Sequence, residues 1–201
     1  MAGKAKTDVD SRVQTLSGVA STHLKNGVIL CGGIVSGRVR LLRSSVHVPK
    51  ERPVVHVRPA TLADLEFIVQ GNLALATETE NVSLDPDVLR AGVRTLLEGN
   101  APGQYWIADV DGRAAGQLLI TFEWSDWRNR MIWWIQSVYV LHAARGRGVF
   151  RALYEQMRHE AKADKAGGLR LYVDTTNLRA QQVYKALGMN GDHYRVFEDI
   201  F

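Results

Sequence analysis

Met131-Ile132-Trp133-Trp134-Ile135-Gln136-Ser137-Val138-Tyr139-Val140-Leu141 leads within four residues into Arg145-Gly146-Arg147-Gly148-Val149-Phe150. The first segment is interrupted in its apolar character only by Gln136 and Ser137, which predicts a central strand covered on both faces. Phe150, Leu153, Tyr154, Met157 and Ala161 then recur at helical spacing. The Gly-rich segment is therefore a strand-to-helix turn, with backbone N–H groups pointing outward at a helix N-terminus. Gly146 and Gly148 allow an anion to approach the main chain closely, and Arg145 and Arg147 add positive charge. Such a turn is a weak sign by itself. It has no Gly-Lys-Ser/Thr ending of a nucleoside-triphosphate loop, and no G-x-G-x-x-G opens the first strand-helix unit of the chain.

Working outward, Val54 to Arg58 predicts a short strand ended by Pro59, and Thr61 caps a helix carrying Leu62, Leu65, Ile68, Val69 and Leu73 on one side. Pro86 opens a second helix through Leu97. Gln104 to Val110 and Arg113 to Trp124 read as a hairpin, because Asp111-Gly112 between two apolar runs is a strong hairpin signal. Downstream come a strand over Leu169 to Asp174 and a helix capped by Asn177, with Ala180, Val183, Tyr184 and Leu187 as its stripe and Gly188 at its end. A last hairpin closes the chain. The order β, α, α, three strands, α, β, α, two strands predicts a mixed α/β (α+β) sheet in one domain spanning residues 54–201.

The run Asn177-Leu178-Arg179-Ala180-Gln181-Gln182-Val183-Tyr184-Lys185-Ala186-Leu187-Gly188-Met189 resembles the second hallmark of the GNAT superfamily of N-acetyltransferases, and Arg145 to Phe150 resembles the first, R-x-x-G-x-G/A. The resemblance covers about Val54 to Phe201. It implies a mostly antiparallel, twisted sheet with helices on both faces and central strands splayed to admit acetyl-CoA. It further implies that backbone groups of Val138, Tyr139 and Val140 pair with the pantetheine arm, and that the pyrophosphate sits on Arg145, Gly146, Arg147, Gly148, Val149 and Phe150. Asn177 and Tyr184 would face the thioester, with Tyr184 as the acid that protonates the departing thiolate. On one helix their separation of seven residues is two turns, so they share a face. Phe150 departs from the pattern, which has a small residue there. As it continues the stripe of Leu153, Tyr154 and Met157, its expected place is the core.

An acceptor amine with pKa near 10 costs on the order of 4 kcal/mol to deprotonate at pH 7, so a base or a water chain to one is expected. In related polyamine acetyltransferases a carboxylate on the central strand serves, but the corresponding place here is Gln136, which cannot act as a base. Glu78, Glu80 and Glu123 are the remaining carboxylates expected near the acceptor entrance, with Glu123 and Glu80 nearly level as the base. Four of the five tryptophans fall between Trp124 and Trp134. Aromatic faces beside carboxylates attract ammonium groups, so Trp124 and Trp127, with Glu78, Glu80 and Glu123, are the expected acceptor contacts. The segment is somewhat similar to that of spermidine/spermine acetyltransferases. Trp133 and Trp134 read instead as cross-strand packing on at least one face.

The chain has 201 residues, 46% of them hydrophobic, and a net charge of +4. Residues 1–50 carry eight basic residues against Asp8 and Asp10, which leaves −2 for the remainder. A basic extension on a slightly acidic body argues against nucleic acid as the partner of the whole protein. The single Cys31 excludes an internal disulfide framework, and the six histidines lack metal-ligand spacing, so no metal is expected. No apolar run reaches membrane-spanning length, and the expected location is intracellular and cytoplasmic. If residues 1–50 are an acid-poor transit segment, the location is an organelle matrix instead. A disordered tail and a start-site artefact stay open as alternatives, and so does a homodimer.

The expected activity is acetyl transfer from acetyl-CoA to a primary amine of a small cationic molecule. Acetylation of a peptide or protein amine and a non-catalytic acyl-CoA sensor are the alternatives.

Overall fold

The computed structural model describes residues 54–199, together with the backbone of Ile34–Val35 and Arg38–Val39. The chain divides into two units, Met1–Glu51 and Arg52–Phe201. In the first, strands β1 (Ile34–Val35) and β2 (Arg38–Val39) form an antiparallel pair. Otherwise the readings made for residues 1–50 lie outside the described residues.

In the second unit the strands β3 (Val55–Pro59), β4 (Gln104–Val110), β5 (Arg113–Ser125), β6 (Arg130–Val140) and β7 (Gly168–Arg170) lie side by side in that order. All neighbours are antiparallel except β6 and β7, which are parallel. The hairpin of β4 and β5 turns on Asp111 (φ 53°) and Gly112 (φ 74°), two left-handed residues as a type I′ turn requires. Helix α1 (Leu65–Glu80) follows a 3₁₀ turn in which the Asp64 carboxylate accepts from the Thr61 N–H (2.8 Å) and hydroxyl (3.1 Å). The same carboxylate is gripped by Arg58, which also reaches Asp109 at 2.8 Å. Helix α2 (Pro86–Leu97) begins on Asp85, whose Oδ1 accepts from the N–H groups of Asp87 and Val88, with proline at the position where a missing N–H costs nothing.

Alternation along β4 explains the two layers. Tyr105 and Ile107 pack with Leu65, Ile68 and Val69 of α1 and Val93 of α2. Trp106, Ala108 and Val110 face the other way, onto Val149, Leu153, Tyr154, Met157 and Ala161 of α3 (Val149–Ala163). Full burial of each such aliphatic side chain stabilises by about 1.5–3 kcal/mol, so the core lies on both faces of β4 and β5. Helices on both faces of a mostly antiparallel sheet are the expected fold.

Three expectations change. The strand buried without interruption is β5, at Ala115 to Ile120, whereas β6 is fourth of five and exposes Arg130, Met131 and Gln136. The strand expected over Leu169 to Asp174 stops at Arg170. No strand forms among the described residues after Gly188, so the closing hairpin is not formed, and Tyr194 and Phe197 are 85% and 93% exposed. The second change has its cause in the neighbouring pair of strands. The β5–β6 register jumps between Leu119↔Ser137 and Ile120↔Ile135, leaving Gln136 as a bulged residue. A bulge bends its strand and increases its twist. The last β6–β7 pair, Trp134↔Arg170, is two residues before it.

Candidate active site

Beyond Trp134 the outer edge of β6 has no strand partner among the described residues, and this free edge leads to Val138, Tyr139 and Val140. At its end the chain makes a short 3₁₀ turn, His142–Ala144, and enters the Gly-rich segment. Gly146 (φ 75°) and Gly148 (φ 87°) are both left-handed, and a Cβ on either would meet nothing within 4 Å. Backbone conformation, rather than lack of space, is thus what calls for glycine. Gly148 precedes α3 with no side-chain cap, so the first N–H groups of the helix remain available to an anion.

The side chains around this turn do other work than expected. Arg145 donates from Nε to the Val140 carbonyl (3.0 Å) and from a terminal nitrogen to Glu78 (2.5 Å), and lies over the Tyr139 ring at 5.5 Å. Tyr139 donates its hydroxyl to the same Glu78 carboxylate at 2.9 Å. The arrangement ties the end of α1 to the end of β6. The Arg145 and Tyr139 hydrogen bonds hold the Glu78 carboxyl below the usual carboxylate range, which makes it a weak base. Arg147 pairs with Asp111 at 3.4 Å. Val149 is buried, and Phe150 is half-buried against the α3 face of the core, as its place in the stripe predicts. Of Glu80 only the backbone is described, as the last residue of α1.

Tyr184 belongs to α4 (Leu178–Ala186), where burial pushes its phenol above the ordinary value. Asn177 stands just before that helix, not within it, and its Oδ1 accepts from the Ala180 N–H at 3.0 Å. Capping therefore occupies its oxygen and leaves the amide nitrogen for other contacts.

An open cleft of about 1670 Å³ brings together Glu123, Trp124, Trp127 and Tyr184, with Arg170 and Tyr172 between them. Trp124 and Trp127 are exposed, the latter 90%. Val138 to Val140 and Arg145 to Phe150 do not line it. Glu123 accepts from Arg170 at 2.8 and 3.1 Å and from the indole N–H of Trp134, whose ring also lies under the Arg170 guanidinium. A carboxylate has about four lone-pair sites, so one stays open. Trp133 is buried and donates to Asp164 at 3.3 Å, consistent with a packing role.

Arg170 and Tyr172 were not among the expected site residues. Tyr172 accepts from Gln136 Nε2 at 2.8 Å, so it answers the bulge. Their signal is in the sequence: Arg170, Tyr172 and Asp174 alternate at strand spacing and so point one way in extended chain. No group of three or more His, Cys, Asp or Glu among the described residues could hold a metal. None of the described helices is long and apolar enough to cross a membrane.

Comparison with known proteins agrees with this architecture. Residues 73–189 match the family model described as the Acetyltransferase (GNAT) family. The crystal structure of a possible acetyltransferase from Clostridium difficile 630 is 38% identical, covers 73% of this chain and 97% of its own, and superposes with a TM-score of 0.68. The chain belongs to the GNAT acetyltransferase family. Two more distant structures share the fold. The aminoglycoside N-acetyltransferase AAC(6′)-Iy in complex with CoA is 18% identical, with coverage of 76% and 98% and a TM-score of 0.62. The ribosomal-protein-alanine N-acetyltransferase from Brucella melitensis biovar Abortus 2308 is 17% identical, with coverage of 74% and 100% and a TM-score of 0.60. No curated protein matches the chain.

Proposed function

We propose that this chain transfers acetyl directly from acetyl-CoA to a primary amine of a small cationic molecule. The observation that carries the reading is the free edge of β6 beyond Trp134↔Arg170, which runs to an uncapped helix N-terminus behind two left-handed glycines. Main-chain groups of Val138 to Val140 can pair with an extended amide-bearing arm as a strand would. The N–H groups of Gly146 and of Gly148 to Phe150 suit a pyrophosphate, whereas those of Arg145 and Arg147 already donate to the carbonyls of His142 (3.2 Å) and Ala144 (3.4 Å) and the Arg145 guanidinium is engaged by Glu78. The Asn177 amide nitrogen and Tyr184 then serve the thioester end.

The amine nitrogen attacks the thioester carbonyl, the C–N bond forms, the C–S bond breaks, and the thiolate takes the proton of Tyr184. N–H groups of β6 stabilise the charge that develops on the carbonyl oxygen. The bound ammonium first loses one proton through water to solvent, which frees the nitrogen to attack, and the second proton, released as the amide forms, passes through water to the tyrosinate and restores the phenol. A raised phenol pKa keeps Tyr184 protonated at neutral pH, as an acid must be. The open acceptor site of Glu123 and the exposed faces of Trp124 and Trp127 supply attraction for an ammonium group, and Glu123 or Glu80 relays the proton through water. The fold is shared with an enzyme whose name specifies aminoglycosides and with one whose name specifies a ribosomal-protein alanine, so the reading of a cationic small acceptor rests on Glu123, Trp124 and Trp127.

A second reading, acetylation of a peptide amine, is favoured by the openness of the same cleft and by the 90% exposure of Trp127. Thiol release from acetyl-CoA by the full chain, measured against polyamines, aminoglycosides, amino acids and peptides, separates them. Turnover is expected with polyamines or aminoglycosides. Turnover with peptides alone selects the second reading, and tight acetyl-CoA binding without turnover selects a sensor.

A further inference from the structure

Phe150 occupies the place where the R-x-x-G-x-G/A pattern has its second small residue, and its ring is aimed at the helix that carries Tyr184. The two rings meet edge to face, with centroids 5.6 Å apart and planes at 63°. On its other side Phe150 tilts against Tyr154, 6.3 Å away and at 33°. Among the described residues the Tyr184 hydroxyl has no hydrogen-bond partner. No polar contact among them therefore fixes the direction of the phenol; ring packing does, and aromatic pairs favour the edge-to-face geometry seen here.

We propose that Phe150 is a positioning residue for Tyr184. It holds the phenol in one orientation and couples the helix start that meets the pyrophosphate to the group that protonates the leaving thiolate. The inference rests on the reading of Tyr184 as the acid. Phe150 touches neither the sulfur nor the acceptor; it acts through the ring that does. A small residue at this position would leave the helix N-terminus more open and the phenol unsupported, so the exchange of Gly or Ala for Phe trades access for orientation. Burial raises the Tyr184 pKa, and the Phe150 ring packs against that phenol at 5.6 Å, so truncating Phe150 is expected to expose it, a signature independent of the acceptor.

The test uses the full chain labelled with fluorotyrosine, followed by ¹⁹F NMR over a pH titration. Six tyrosines give six resonances, and the one missing in Tyr184→Phe is assigned to Tyr184. In Phe150→Ala the Tyr184 resonance is expected to shift and its titration to move down towards that of an exposed phenol, with Phe150→Leu in between. An unchanged Tyr184 resonance and titration in Phe150→Ala overturns the proposal, whether or not an acceptor is turned over. Thiol release with spermidine as the acceptor probe adds the kinetic arm. There Phe150→Ala is expected to lower kcat about tenfold, with the KM for acetyl-CoA within about twofold and partial rescue by Phe150→Leu. In a Tyr184→Phe background the same change should cost nothing further. A raised KM with unchanged kcat would make Phe150 a wall of the cofactor cradle instead. Should Tyr184→Phe by itself leave kcat unchanged, the acid reading falls, while the NMR titration still decides whether Phe150 orients the ring.

Discussion

Strands β5 and β6 stay paired from Gly116↔Val140 to Ser125↔Arg130, whereas β6 and β7 part after Trp134↔Arg170. The same strand thus has one edge closed along its length except at the Gln136 bulge and the other open over about half of it. On the closed side the groups of the main chain satisfy one another, and buried side chains of α1, α2 and α3 cover both faces. On the open side β6 has no strand partner among the described residues, and past the end of β7 an open cleft is lined by Glu123, Arg170 and Tyr172 and by the exposed Trp124 and Trp127. A sheet that separates its strands at one point divides its labour: one half provides stability, the other exposes backbone to a ligand.

Two substitutions are aimed at opposite sides of that division. The larger effect is expected from Tyr184→Phe on the open side, which should lower kcat about 100-fold with unchanged stability, since a positioned proton donor typically contributes that much. The pH dependence fixes the sign. Burial raises the Tyr184 pKa, so the active, protonated phenol persists below its raised value, and kcat should fall only above about pH 10, the ordinary phenol value. A descending limb near neutrality that disappears in the Phe variant would assign Tyr184 a different role.

Gly71→Ala addresses the closed side. Gly71 is in α1, and a Cβ there would lie 2.5 Å from Gln117 Oε1. Gln117 cannot readily give way, as it is buried and donates to the Ile68 carbonyl (3.1 Å) and to Asn72 (2.8 Å), which in turn donates to the Tyr105 hydroxyl (3.0 Å). Alanine gains about 1 kcal/mol of helix propensity over glycine. Overpacking a fixed neighbour costs about 1–3 kcal/mol, so net destabilisation is expected, read as a lower midpoint in denaturant with unchanged kcat per folded molecule. If kcat fell in step with stability, the two sides would not be separable.

Local grammar made much of the closed side legible. Asp111-Gly112 gave the hairpin, Asp85-Pro86 the start of α2, and the spacing from Phe150 to Ala161 the buried face of α3, because each depends on residues within a few positions of one another. On the open side the turn, the helix behind it and Tyr184 could be read, but the ends of side chains could not. Arg145 reads as an anion ligand until Glu78, 67 residues earlier, claims its guanidinium, and Glu123 reads as a free carboxylate until Arg170, 47 residues later, closes on it. Such pairings are set by which elements the sheet brings together. The early end of β7 has the same origin, since the bulge at Gln136 is a property of the β5–β6 register and not of the sequence from Leu169 to Asp174.

If the open edge of β6 and the turn after it receive acetyl-CoA, amide hydrogen exchange of the full chain with and without acetyl-CoA will report it at those segments. Slower exchange is expected at Ile135 to Val140 and from Arg145 to Arg151, with the β4–β5 hairpin unchanged. Binding without protection in those two segments, or with protection centred elsewhere, would place acetyl-CoA away from the open edge of β6.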